Sequence, residues 1–163
     1  MPEAAVSVGS NIDRESNIRA AVSGLTALFP DAVFSSVFAS EAVGFEGPYF
    51  FNLAGVFKSD LRADDLVARL RGIEAQLGRA RDGNAIGSRE IDIDLLLYGD
   101  QILYEQGMDI PRHEILEFAH VLKPLSLILP DRCHPVNGST YRELWDAMAP
   151  EHDEKLKPVK LDF

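Results

Sequence analysis

Apolar residues along this chain recur with two periods, and the switches between them predict its elements. From Arg89 to Gly99 the period is two: Ile91, Ile93, Leu95 and Leu97 fall on one face of a strand, and Glu90, Asp92 and Asp94 on the other. Residues 4–8 read as an opening strand, closed by the turn signal "GSN" at 9–11. From Asp13 to Phe29 the period becomes helical, with Ile18, Val22, Leu25 and Phe29 on one stripe and Pro30 as the stop. Residues 32–39 are β-branched and aromatic, which predicts a strand, and "FFNLAGVFK" at 50–58 predicts another. A second helix is expected over 63–77, where Leu66, Leu70, Ile73 and Leu77 share a face and Asp64 and Asp65 suit the first turn.

After "YGD" at 98–100 a turn and a short strand are expected, then partial helix in "IPRHEILEFAHVLKPLSLIL", and a last helix at 140–148. The order βαββαβ over the first 98 residues predicts an α+β, ferredoxin-like core. Two helices would pack on one face of a largely antiparallel sheet, with a C-terminal helical extension. No repeat or linker divides the 163 residues, so one domain is expected.

Composition narrows the partners. There are 16 Lys+Arg against 26 Asp+Glu, a net charge of -10, which repels nucleic-acid backbones and anionic membranes. Neither partner is expected. The single cysteine, Cys133, excludes an intramolecular disulfide and a multi-cysteine zinc site. No secretory leader pattern and no apolar run of about 18 residues occurs, so a cytoplasmic protein, and a monomer, is expected.

The candidate chemistry lies where the local charge departs from the average. Asp92 and Asp94 stand two apart on a strand, which sets their Cα atoms about 6.5–7 Å apart with both side chains on one side. Such a pair can hold magnesium, which takes a couple of carboxylates and completes its shell with water and phosphate. It can equally be the wet face of an ordinary strand. Arg79, Arg81 and Arg89 flank "DGNAIGS" in the preceding loop, and guanidinium forks suit phosphate oxygens. Carboxylates on one side and arginines on the other form the electrostatic arrangement that phosphoryl transfer requires.

The chain resembles the 6-hydroxymethyl-7,8-dihydropterin pyrophosphokinase family. The likeness is carried by "VSVGSN" at 6–11, "FNLAG" at 51–55, "IEAQLGR" at 73–79, "REIDIDLLLYGD" at 89–100, "VLKPLSLILPD" at 121–131 and "HPVNGSTYRELW" at 134–145. The resemblance implies transfer of pyrophosphate from Mg-ATP to a hydroxymethyl dihydropterin in folate synthesis, with release of AMP. It implies that Asp92 and Asp94 bind two magnesium ions and that Arg79 and Arg89 are the catalytic arginines. It further implies that Val43, Phe50, Asn52 and His120 line the pterin pocket, and that Glu74, Arg81, Arg112 and His113 lie at the ATP. An amide reading a flat heterocycle through a donor and an acceptor is sound chemistry.

The chain also departs from the family pattern. Ser88 replaces a proline and Glu90 a threonine, Ile86 stands where a tryptophan is common, and Asp82 where a basic residue is expected. Phe118 occupies the place of an arginine, and His120 that of a stacking aromatic. These changes leave the alternatives of a weakly active or non-catalytic binding relative, or a polyphosphate transferase with another acceptor.

Overall fold

The computed structural model describes residues 1–41, 47, 49–77 and 91–163. Strand β1 (Glu3–Ser10) leads into helix α1 (Arg14–Leu28); β2 (Val33–Phe34), β3 (Val37–Ser40) and β4 (Phe50–Lys58) follow, then α2 (Ala63–Gln76) and β5 (Asp92–Tyr98). Helices α3 (Ala119–Ile128) and α4 (Tyr141–His152) and a terminal strand β6 (Lys157–Val159) complete the chain. The sheet order is β5-β1-β4-β3-β6, every pair is antiparallel, and β2 pairs with β4. This is the expected ferredoxin-like arrangement with an added strand at one edge.

The helical stripes face the sheet as their spacing requires. Ile18, Ala21, Val22 and Leu25 of α1, and Leu66, Leu70 and Ile73 of α2, are buried with Val6, Val8, Leu53, Phe57, Ile91, Ile93 and Leu95 in one core. Phe29, just past α1, stacks on Phe57 with ring centroids 3.9 Å apart. Each fully buried Leu, Ile or Phe side chain contributes roughly 1.5–3 kcal/mol, so this layer supplies most of the sheet's anchoring. The other face carries a second core of Ala5, Ala54, Val56, Leu96 and Leu97, covered by Val121, Leu122 and Leu125 of α3 and by Tyr141 of α4.

Four features differ from the expectations. The strand at 32–39 is split at Ser35, whose N–H donates to Ala54 O and whose hydroxyl accepts the Ala54 N–H, both at 2.9 Å. A side chain there replaces a strand carbonyl. Leu97 does not share the face of Ile93 and Leu95, because the β1–β5 register shifts between Ala5 and Val6 and turns Leu97 to the second core. The short strand expected directly after Gly99 does not form; a 3₁₀ turn at Tyr104–Gln106 stands there instead. Strand β6 has no predicted counterpart, being three residues long and half apolar.

Helix α4 begins where expected and runs on to His152. Its start is a capping box: Thr140 Oγ1 accepts the Glu143 N–H at 3.1 Å, and Glu143 Oε1 accepts the Thr140 N–H at 2.9 Å. Among the described residues no helix is long and apolar enough to cross a membrane.

Candidate active site

The second face of the sheet is only half covered, and the open half forms the site. Antiparallel pairing sets Asn52 of β4 opposite Gly9 of β1, and Gly9 opposite Asp92 of β5. The next same-face row sets Ala54 opposite Ser7 and Ser7 opposite Asp94. Small residues on the central strand therefore leave a trough between a carboxamide and two carboxylates. Phe118, His120 and Val121, at the start of α3, close one side, and the cavity holds about 360 Å³. That is the size of a small-molecule site.

One end of the trough is acidic. Asp94 is 14% exposed, and burial, then the neighbouring Asp92 charge, pushes its carboxyl above the usual carboxylate range. Two guanidinium groups oppose that shift: Arg71 Nη2 stands 3.4 Å and Arg112 Nη2 3.8 Å from Asp94 Oδ1. Glu114 adds a third acid to the lining and accepts from Arg112 Nε at 2.7 Å. A desolvated carboxylate beside a second charge on the same strand face suits a divalent cation, which relieves both costs. Among the described residues no cluster of three or more side chains is arranged to ligate a metal. The pair Asp92 and Asp94 in one cavity fits magnesium, which needs only one or two protein carboxylates and fills its shell with water and phosphate.

Glu74 lies beneath this end rather than in it. It is 2% exposed, takes Arg71 Nη1 at 2.6 Å on one oxygen, and takes the Ile93 N–H at 2.7 Å on the other. A buried acid on α2 thus grips the one strand residue between Asp92 and Asp94.

The other end sets a carboxamide among aromatic rings. Asn52 Nδ2 donates to Ser40 Oγ at 2.8 Å and to Phe38 O at 3.1 Å. A carbonyl oxygen can only accept, so this contact fixes which way the amide points, with Oδ1 left to face a ligand. Phe50 lines the same region. A Cβ on Gly9 would lie 3.5 Å from Asn52 Oδ1 and 3.7 Å from the Phe50 ring, so the bare glycine keeps the floor open. Phe118 and His120 stack with centroids 5.3 Å apart and planes 17° apart. Burial pushes the His120 imidazole below its ordinary value, so it presents a neutral ring.

The structure thus brings Asp92, Asp94, Phe50, Asn52 and His120 to one cavity, with Arg112 at its acidic rim. His113 is not brought there: its ring is exposed and pairs with Asp109 Oδ2 at 2.5 Å. Val43, Arg79, Arg81 and Arg89 lie outside the described residues, as do the substituted positions Asp82, Ile86, Ser88 and Glu90. Sequence reasoning passed over Gly9, Arg71 and Glu114. Arg71 carries a signal, an i,i+3 pairing with Glu74 on the helix beside the acidic strand. Gly9 and Glu114 become visible only through strand register and the return of the chain over the sheet.

Comparison with known proteins places the chain. The family model for 7,8-dihydro-6-hydroxymethylpterin-pyrophosphokinase (HPPK) matches residues 5–130. The 2-amino-4-hydroxy-6-hydroxymethyldihydropteridine pyrophosphokinase of Aquifex aeolicus is 32% identical over 153 residues, which cover 93% of this chain and 91% of that one. The folic acid synthesis protein fol1 of Pneumocystis carinii is 35% identical over 112 residues, 69% of this chain but 15% of that protein. A crystal structure of Plasmodium falciparum HPPK-DHPS matches with a TM-score of 0.74 at 14% identity, covering 99% of this chain and 48% of that one, a likeness of fold. The chain therefore belongs to the 7,8-dihydro-6-hydroxymethylpterin-pyrophosphokinase (HPPK) family.

Proposed function

We infer that this protein transfers a pyrophosphoryl group from Mg-ATP to 6-hydroxymethyl-7,8-dihydropterin, a step of folate synthesis. The observation that carries the reading is the two-ended trough, with a fixed carboxamide and stacked rings at one end and Asp92 and Asp94 at the other. The substrate's hydroxymethyl oxygen attacks the β-phosphorus of ATP, the bond from that phosphorus to the α-phosphate oxygen breaks, and AMP leaves.

The side chains act by position and charge. Asn52 Oδ1 takes a donor from the heterocycle edge, and Phe50 and His120 hold its faces, with Val43 assigned to the same pocket by the family resemblance. Asp92 and Asp94 would hold two magnesium ions, which when bound neutralise the triphosphate. Arg79 and Arg89 are assigned the catalytic contacts to the transferred group, with Arg81 and Arg112 at the nucleotide. Glu74 serves through the Ile93 N–H, keeping the acidic strand in register. Among the described residues no side chain stands out as a general base, and catalysis is assigned to orientation and charge neutralisation. The protein is proposed to act as a single-domain, cytoplasmic monomer.

An AMP-release assay with Mg-ATP, run with and without the dihydropterin, tests the reading. Release that depends on the pterin supports it. Undetectable release beside an active control, with the pterin still bound, would make this a binding relative.

A further inference from the structure

At the acidic end Arg71 touches Glu74 of α2, the main chain of Ile93 and the side chain of Asp94. Its Nη1 donates to Glu74 Oε1 at 2.6 Å and to Ile93 O at 3.1 Å, so one edge of the guanidinium is anchored to α2 and to the main chain of β5. Its Nη2 reaches Asp94 Oδ1 at 3.4 Å, at the weak end of hydrogen-bond length. The side chain is 45% exposed, whereas its anchor Glu74 is almost completely buried. The arrangement is asymmetric: a short, shielded grip on one side and a long, open contact on the other.

That asymmetry has a chemical consequence. A guanidinium offers five donors in a rigid fork, and fixing one edge aims the remaining donors. Here they are aimed at the carboxylate that the metal reading requires. A cation that already neutralises Asp94 must compete with a divalent ion for the same oxygen. Once that oxygen is taken, Nη2 has lost its partner while its anchor still holds it in place. An oxygen of a phosphate bound to the same metal would offer it a new acceptor of suitable charge.

We propose that Arg71, which shares Asp94 with Arg112, yields that carboxylate to a divalent metal and then donates its freed Nη2 to an oxygen of the metal-bound polyphosphate. Arg71 is thereby a positioning residue for the triphosphate, with two opposed effects. It weakens the binding of a metal alone and strengthens the binding of a metal–nucleotide complex. The inference rests on the functional reading above, which places metal and nucleotide at Asp92 and Asp94.

The opposed signs make the test. Manganese alone is titrated into the full chain by electron paramagnetic resonance, and α,β-methylene-ATP with magnesium by calorimetry, for wild type, Arg71→Gln and Arg71→Lys. The analogue is uncleavable at the bond that the reaction breaks. Arg71→Gln should bind manganese about three- to tenfold more tightly and the magnesium analogue at least tenfold more weakly. Arg71→Lys, which keeps a cation beside Glu74, should shift both in the same directions by less, and it carries the test if Arg71→Gln does not fold. A merely structural role for Arg71 would weaken both ligands together, and that result overturns the proposal, as does any change confined to one ligand or absent from both. A wild-type chain that binds neither probe overturns the functional reading instead, and the inference falls with it.

Discussion

Glu74 Oε2 accepts the N–H of Ile93 at 2.7 Å, so a buried helix side chain fixes the strand residue that separates Asp92 from Asp94. The spacing of the two carboxylates is therefore set by the packing of α2 as well as by the sheet. Replacing Glu74 with Ala takes this acceptor from that N–H and the shortest of three contacts from the Arg71 guanidinium. The loss is expected to cost about 1.5–3 kcal/mol of stability, and a chain of this size loses roughly 2–4 °C of Tm per kcal/mol. Thermal melting checks the first effect. A displaced carboxylate pair should also weaken binding of the magnesium analogue, measured in a variant still folded at 25 °C.

Asp94→Asn separates function from stability. Burial disfavours the ionised Asp94 side chain, so removing its charge relieves a cost in the fold while removing a metal ligand. The variant is expected to melt no lower than wild type, with transfer from Mg-ATP reduced at least a hundredfold. Near-normal transfer would contradict the assignment of Asp94 to the metal.

Gly9→Ala tests the carboxamide end of the trough. The added methyl meets Asn52 Oδ1 at 3.5 Å and the Phe50 ring at 3.7 Å, ordinary contact distances, so the fold should tolerate it. Placed on the cavity floor, it should weaken pterin binding by roughly tenfold, about 1.4 kcal/mol, and leave binding of the magnesium analogue unchanged. Calorimetry with each ligand separates the two ends.

Acid should destabilise the fold through His134. Its Nδ1 accepts the N–H groups of Val136 at 3.1 Å and Asn137 at 3.0 Å, and burial pushes its pKa down. The folded state thus resists a proton that the unfolded chain takes up below about pH 6.5. Stability falls as pH drops through that window, by at most about 1.4 kcal/mol per pH unit for one proton. Asn at this position can accept the same two bonds without titrating. His134→Asn should therefore shrink the difference in Tm between pH 7.5 and pH 5.5, without abolishing it, because burial lowers His120 in the same direction.

The fold was legible wherever a single period ran the length of an element. Helices α1 and α2 follow from stripes such as Ile18–Val22–Leu25, and β5 follows from the alternation through Asp92 and Asp94. What stayed hidden depends on pairing across the sheet. The register shift that turns Leu97, and the Ser35 hydroxyl that breaks the second strand, are set by a partner strand and leave no local period. Strand β6 is too short to show one. In the site, the carboxylate pair and Asn52 were readable because each lies in a recognisable stretch. The floor at Gly9, the buried grip of Glu74 on Ile93 and the reach of Arg71 to Asp94 required the register of three elements at once.

Phosphorus NMR of the complete reaction follows the fate of each phosphorus of ATP. With wild-type protein, Mg-ATP and 6-hydroxymethyl-7,8-dihydropterin, AMP and a new diphosphate ester, seen as two coupled doublets, should grow in equal amounts and only when the pterin is present. Formation of ADP, or of AMP with free pyrophosphate and no ester, would contradict pyrophosphoryl transfer to the pterin.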